Sequence, residues 1–434
     1  MGILCYFLAD PICLCMRYTC FLLMLLSACN TDKYMQTRTY PATDNFLSAL
    51  LHRNSARLGP VFTYPDSFQL QIIYTRIDRD AQNQPHFRDY YYRVDTGHYF
   101  YPASTVKLPG AILALEKLND LHIPGLDRNT PMFTECLHGI TNSVLRDPSA
   151  PDSLPSIGHY INKVFLVSDN DAFNRLYEFI GQQAFNERLW QMGYSRAQIR
   201  TRTGTGYLPP DSGRHTNTIW FARNGQELYR QPAVYSHLAF APRHDSAGRS
   251  HFRRHPNIPD ELVPGAMDFS EKNRLTLPDV HMILKSIIFP DAVTKSHQFR
   301  LTEDDYRFLY HSLSRLPTET RYPAYDTSEF YPAYVKFLLF GGERGAEMPP
   351  YIRIFNKPGW AYGYLTDVAY IADFAHNIEF MLSATVYVNK GGNIDGRYEF
   401  NETGKPFMKA LGQVIYEYEL KRKRKYPANL ARYK

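Results

Sequence analysis

The chain has 434 residues, 49 basic against 43 acidic side chains, a formal net charge of +6 and 44% hydrophobic residues. That is enough apolar material for a large core, which excludes a disordered polymer and a small disulfide-stapled scaffold. The mild positive balance falls short of the dense basic footprint of a dedicated nucleic-acid binder, so no nucleic-acid partner is expected. The 33 tyrosines and 27 phenylalanines are the unusual figure, and suit half-buried strands and surfaces that meet polar polymers or small rings.

Residues 21–26 form an apolar run that ends in Leu26-Ser27-Ala28-Cys29. It is too short to span a bilayer and reads as a removable signal over 1–28, followed by a tether over 29–43. Small residues before a cysteine resemble the lipobox of bacterial lipoproteins, which implies lipidation of Cys29 and a membrane partner through that lipid. Met16-Arg17 offers a second start with a basic first turn. The alternative is an uncleaved N-terminal anchor. Of six cysteines only Cys29 and Cys136 follow the proposed cut, so no internal disulfide framework is expected, and Cys136 reads as a small packed side chain. A lipid on Cys29 would hold the body at the cell envelope, on a periplasmic or outer-membrane face, without cytoplasmic cofactors such as ATP.

In chain order, Asp44 to Leu58 is expected as one amphipathic helix. Phe68 to Ile77 and Phe87 to Val94 read as an antiparallel hairpin around a turn-rich 80–85. Helices are expected at 105–118, 157–167, 169–180, 183–192 and 277–288. From Gly204 to Asn273, frequent Gly, Pro, Arg and His predict an irregular surface excursion. Strand patterns return at 351–355, 365–372 and 378–388, and a helix over about 405–419 closes the chain before a solvated basic tail, 421–434. The fold class is therefore α/β in the α+β sense: one antiparallel sheet assembled from both chain ends, with an all-helical lobe inserted, over 44–420. A cleft between the lobes is the natural site.

Ser104-Thr105-Val106-Lys107 follows a strand end and opens a helix. Residues three apart share a helix face, so the Lys107 amine can reach the Ser104 hydroxyl and accept its proton if neutral. Unsatisfied N–H groups at the helix start favour negative charge developing beside the serine. No other serine has lysine at the third position after it. By itself the pattern also fits a serine helix cap with a solvated lysine. Ser168-Asp169-Asn170 stands 64 residues on, between two expected helices, where Ser168 can relay a proton and the Asn170 amide can hold a substrate amide. This tripeptide too is an ordinary cap when taken alone. Lys357-Pro358-Gly359-Trp360 is the third element: Lys357 suits an anionic group, Gly359 permits close backbone approach, and the Trp360 N–H can join the Ser104 N–H as oxyanion donor. Lys390-Gly391-Gly392 competes with it but lies in an expected turn.

In that order, Ser-x-x-Lys, Ser-Asp-Asn and Lys-x-Gly resemble the signatures of the class A β-lactamase and penicillin-binding protein superfamily. The resemblance runs from about Asp44 to Leu411 and implies a β-lactamase/transpeptidase-like serine hydrolase fold with no cofactor or metal. It implies Ser104 as the acylated nucleophile, Lys107, Ser168 and Lys357 in proton-transfer and carboxylate-binding roles, and Asn170, Gly359 and Trp360 at the substrate. A β-lactam or a cell-wall peptide is the implied substrate. The departures matter. The family's glutamate some 35 to 40 residues beyond Ser-Asp-Asn has no counterpart, since 203–206 reads Thr-Gly-Thr-Gly and no glutamate occurs between Glu187 and Glu227. Asp211 and His215 are the nearest titratable groups, with Asn217 as a candidate amide. Proline within Lys-x-Gly removes a hydroxyl, and no arginine stands at or beside Thr366. Slow deacylation by a DD-peptidase-like or esterase-type enzyme is therefore the second reading, and a catalytically weak envelope-binding protein the third. His251 and His255 lack a nearby carboxylate and read as a surface loop, not a metal site.

Overall fold

The computed structural model describes residues 43–136, 142–205, 209–255 and 258–434. The signal, Cys29 and nearly all of the tether lie outside the described residues. The first expected helix is two. Helix α1, Asn45–Arg53, is capped by Asp44 Oδ1, which accepts from the N–H groups of Phe46 (2.8 Å) and Leu47 (3.3 Å). Asn54 leaves helical geometry, and α2, Ser55–Thr63, follows with Gly59 and Pro60 kinking it. Strands β1, Gln71–Arg79, and β2, Pro85–Tyr92, form the expected hairpin.

The helical lobe comprises α3, Lys107–Asp120, then, after the short strand β3, Met132–Glu135, helices α4, Ile157–Val167, α5, Asn170–Ile180, and α6, Gln182–Gln191. The stretch from Gly204 to Asn273 is not irregular. It carries β4, Thr218–Arg223, and β5, Gln226–Gln231, which extend β3 into a three-stranded sheet. It also carries β6, Ser246–Ala247, the hairpin of β7, Ser250–His255, with β8, Ile258–Pro264, and β9, Met267–Asp268. Ile219, Phe221 and Phe269 from this stretch are fully buried in the main core. Its seven arginines made it look like surface, yet Arg243 donates to the carbonyls of Ser270 and Phe269 and pairs with Asp245, so charge staples the segment down. His251 and His255 lie in β7, not in a loop.

Helix α7, Leu277–Ile288, is as expected, while α8, Glu303–Ser314, was not anticipated; a capping box between Thr302 and Asp305 starts it. After it come β10, Ile352–Asn356, β11, Gly359–Ala361, β12, Tyr364–Asp373, β13, Ile378–Tyr387, the short β14, Asn393–Ile394, which pairs with β7, and helix α9, Lys405–Lys421.

The central sheet runs β10-β12-β13-β1-β2, every pair antiparallel, with β11 on the end of β12. It therefore joins both chain ends around the inserted lobe. Alternation sorts its side chains. Ile72, Tyr74, Leu365, Ala369 and Phe380 face a core with α1, α2 and α9, whereas Ile73, Ile77, Val368, Tyr370 and Met381 face the helical lobe and α7. Both faces are covered, which is why β12 is buried along its whole length.

Two further expectations fail. Residues 421–434 are not a solvated tail: Arg422 and Arg424 both pair with Glu419, itself fully buried, and Tyr433 enters the core. Five basic residues in a row read as solvated only because their acidic partners, Asp78 and Glu419, are distant or upstream in the chain. Cys136 is exposed rather than packed, at the end of β3, with its N–H donated to Ser143 Oγ (2.8 Å).

Candidate active site

Pro102 ends the aromatic segment that leaves β2, and its carbonyl accepts from both the N–H (3.0 Å) and the hydroxyl (2.7 Å) of Thr105. This closes a tight 3-10 turn over Ala103–Val106 that runs straight into α3. With three residues per turn, positions i and i+3 eclipse, so Ser104 and Lys107 share one face of the turn. Ser104 is half-buried, and its hydroxyl makes no hydrogen bond among the described residues; Lys107 is fully buried.

Helix α4 ends at Ser168 in the left-handed region (φ 62, ψ 37), after which Asp169 accepts from Ala172 N–H (2.8 Å) and starts α5. The reversal aims Ser168 and Asn170 at Lys107. The Lys107 amine donates to Ser168 O (2.5 Å) and Asn170 Oδ1 (2.6 Å), with Ser168 Oγ at 3.4 Å. Its donors thus go to the Ser-Asp-Asn turn rather than to Ser104. A neutral amine has two N–H groups and one lone pair, and these two acceptors engage both N–H groups, leaving the lone pair to take a proton.

From the other side, the Lys357 amine donates to Ser168 Oγ (2.9 Å) and Pro358 O (2.8 Å). Ser168 Oγ is therefore shared between two buried lysines. Gly359 pairs with Thr366, and a Cβ there would stand 2.7 Å from Ser104 N and 2.7 Å from Pro102 O, so only glycine lets β11 lie against the Ser104 turn. Trp360 comes next in β11; its ring turns away, edge-on to Phe337 (5.2 Å between centroids), leaving its backbone at the site. Lys390-Gly391-Gly392 lies outside this arrangement, in the turn after β13, where the Gly392 carbonyl accepts from Arg249 N–H (2.6 Å).

Burial pushes the Lys107 amine down to about 7, against the opposing pull of Asp169. Burial pushes Lys357 well below its ordinary value as well, helped by the positive charges of Lys107 and Lys336 and opposed by Asp367. The site is built to keep at least one lysine neutral near neutral pH.

The segment in the place of the missing glutamate does reach the site. Thr203 Oγ1 donates to Asn170 Oδ1 (3.2 Å), Thr203 is held through its backbone by Asn174 (2.9 and 3.0 Å), and Gly204 (φ 64) lies so close that a Cβ would meet Asn170 Nδ2 at 2.1 Å. Thr203 and Asn174 escaped sequence reading; the spacing from Ser-Asp-Asn pointed to this segment, but a search for a carboxylate passes over a threonine. The other candidates there are engaged elsewhere. Asn217 Nδ2 donates to Glu178 (2.9 Å), Glu178 also pairs with Arg202 (3.0 Å), Asp211 is exposed beside Arg214 (3.8 Å), and the His215 ring packs on Tyr235 (4.7 Å).

The model of the β-lactamase enzyme family matches residues 86–303, half of the chain, including Ser104, Lys107, Ser168 and Asn170 and ending before Lys357. Among solved structures, the chain is similar to a β-lactamase from Sphaerobacter thermophilus DSM 20745 at 13% identity and a TM-score of 0.44, over 85% of this chain and 97% of that one. It is also similar to a class A β-lactamase from Clostridium kluyveri DSM 555 at 15% identity and a TM-score of 0.45, over 85% and 99% of the two chains. No curated protein sequence matches it. On the family match, spanning the Ser104 turn and the Ser-Asp-Asn turn that faces it, the chain belongs to the β-lactamase enzyme family.

Proposed function

We propose that this protein is a serine hydrolase that forms an acyl-enzyme on Ser104 with a β-lactam or a related amide. The observation that carries the reading is the Lys107 amine, buried and fixed by Ser168 and Asn170 on the same face of the turn as Ser104. Lys107 takes the Ser104 proton as the Oγ–C bond forms. The resulting oxyanion sits between the Ser104 and Trp360 N–H groups. As the C–N bond breaks, the proton reaches the leaving nitrogen through Ser168 Oγ, which Lys357 contacts. Asn170 Nδ2 and β11 hold the acyl side of the substrate.

The second reading, a DD-peptidase-like or esterase-type enzyme on cell-wall peptides with slow deacylation, is favoured by one feature. Thr203, Gly204 and Thr205 supply no carboxylate, and loss of general-base help slows water attack by about 10²–10⁴. The apolar run 21–26 with Ser27 and Ala28 ahead of Cys29 supports a proposed lipid attachment at the cell envelope.

Intact-mass spectrometry after a nitrocefin or penicillin pulse tests both readings, with Ser104→Ala as control. Turnover without a lasting adduct supports the β-lactamase reading. An adduct that persists for minutes and is absent from Ser104→Ala supports the second. Absence of both turnover and adduct with β-lactams and esters defeats acyl transfer at Ser104.

A further inference from the structure

On the face of the sheet opposite the candidate site lies a buried polar group that the proposed mechanism does not use. Lys336, in the segment between α8 and β10, is fully buried, and its amine donates to Leu313 O (2.9 Å), Ile354 O (2.8 Å) and Asn356 Oδ1 (2.8 Å). Three acceptors match the three protons of an ammonium. Asn356 Nδ2 in turn donates to Val335 O (2.7 Å) and to Asp367 (2.9 and 3.2 Å), whose Oδ2 also accepts from Leu338 N–H (3.0 Å). The result is a buried lysine and a buried aspartate bridged by one amide, with Lys336, Asn356 and Asp367 each at most 1% exposed; burial presses the Lys336 amine down to about 7 and the Asp367 carboxyl up, while each opposes the shift of the other. Such a group is costly to bury and is not needed to fill an apolar core.

Its position suggests its use. Asn356 ends β10 and precedes Lys357, so side-chain alternation turns the Asn356 amide to the back face and the Lys357 amine forward, to Ser168. Lys357 N–H is itself held by Val368 O (3.1 Å), the residue after Asp367. The bridged pair therefore grips both β10, which Lys357 follows, and β12, to which the Lys357 backbone is bonded.

Resting on the reading of Lys357 as an active-site group, we infer that the Lys336–Asn356–Asp367 triad positions Lys357 and sets the field acting on its ammonium. The charges that face Lys357 are Lys107 from α3, Lys336 from the segment before β10 and Asp367 from β12. Asp367 is the negative one among them. Lys336 is itself flanked by Asp367, Glu319 and Arg353. Removing Asp367's charge therefore makes Lys357 release its proton more readily, and removing Lys336's charge makes it hold the proton longer.

The test is a titration of the full chain carrying 13Cε-labelled lysine, followed by NMR, with Lys357→Arg to assign the signal. Unit charges on the order of 10 Å apart at an effective dielectric of about 20 shift a midpoint by about one pH unit. In Asp367→Asn the Lys357 midpoint falls by about that much; in Lys336→Met it rises by a similar amount while Lys336 would be charged; in Lys336→Arg, which keeps the charge, it moves by less than about 0.3 unit. Midpoints that move in the same direction in Asp367→Asn and Lys336→Met, or that stay fixed in both, overturn the inference. If Asp367→Asn does not fold, the contrast between Lys336→Met, which raises the midpoint, and Lys336→Arg, which leaves it nearly unmoved, decides alone, and equal midpoints in the two overturn the inference. The titration needs no substrate, so it is read independently of any adduct on Ser104: failure to acylate defeats the proposed function, and unmoved midpoints defeat the triad.

Discussion

The amine of Lys107 is where burial and chemistry meet. Removed from water by burial, against the opposing pull of Asp169, it loses its proton near pH 7 rather than 10.5. A base must be neutral to accept a proton, so acylation of Ser104 is expected to increase as pH rises through about 7 and then level off, falling about tenfold per unit below it. Stopped-flow acylation by nitrocefin between pH 5 and 9 checks this; a flat profile, or one that declines upward through 7, removes Lys107 from the role. That the residues Ser104, Lys107, Ser168, Asn170 and Lys357 belong together was legible from their order and spacing. Their partners were not, because a hydrogen bond from Lys107 to Ser168 joins residues 61 apart and depends on the left-handed turn that ends α4.

At the scale of single elements, α7 carries an unresolved expense. Its third residue, Asp279, points Oδ2 into a place closed to solvent with no hydrogen-bond partner, and burial raises its carboxyl to about 6. A folded-state value above the unfolded one means that the neutral acid is tolerated and the carboxylate opposes folding. Its contribution to stability is fully present below about pH 3.8 and is lost as pH rises through about 6. Asp279→Asn should therefore stabilise the protein by up to about 3 kcal/mol at pH 8 and by nearly nothing at pH 3.5, as read from denaturant unfolding at the two pH values. Equal effects at both would show that charge is not the cause. Elements of strong periodicity, such as α4 and α7, were legible to the residue. Helix α8 was missed although Thr302 and Asp305 mark its start, and α1 and α2 were fused because the apolar spacing continues across the break at Asn54.

Over the whole molecule, the C-terminal strap shows how far local composition misleads. Tyr433 donates its hydroxyl to Ile288 O (2.9 Å), and its ring lies against Phe289, Tyr310, Phe355 and Tyr370, tying α7, α8, β10 and β12 together. Tyr433→Ala is expected to cost about 3–5 kcal/mol, as for other large buried aromatic rings. A true solvated tail would change stability by no more than about 0.5 kcal/mol, and thermal unfolding of this variant separates the two. The stretch between Gly204 and Asn273 was misjudged for the same reason: Arg243 is bonded inward, and Phe269 stands fully buried against Tyr101 (5.8 Å) and Tyr362 (5.3 Å), beside the Ser104 turn.

The sequence by itself determined the sheet built from both chain ends, the inserted helical lobe and the residues proposed to react. Those follow from two-residue and 3.6-residue periodicities and from motif order, which are properties of neighbours along the chain. Only the tertiary structure decided the protonation of Lys107 and Lys357, the occupation of the glutamate's place by Thr203 and Gly204, and the burial of the basic strap. Each of these is a sum of desolvation and charge over groups brought together from distant parts of the chain, and no local pattern carries such a sum.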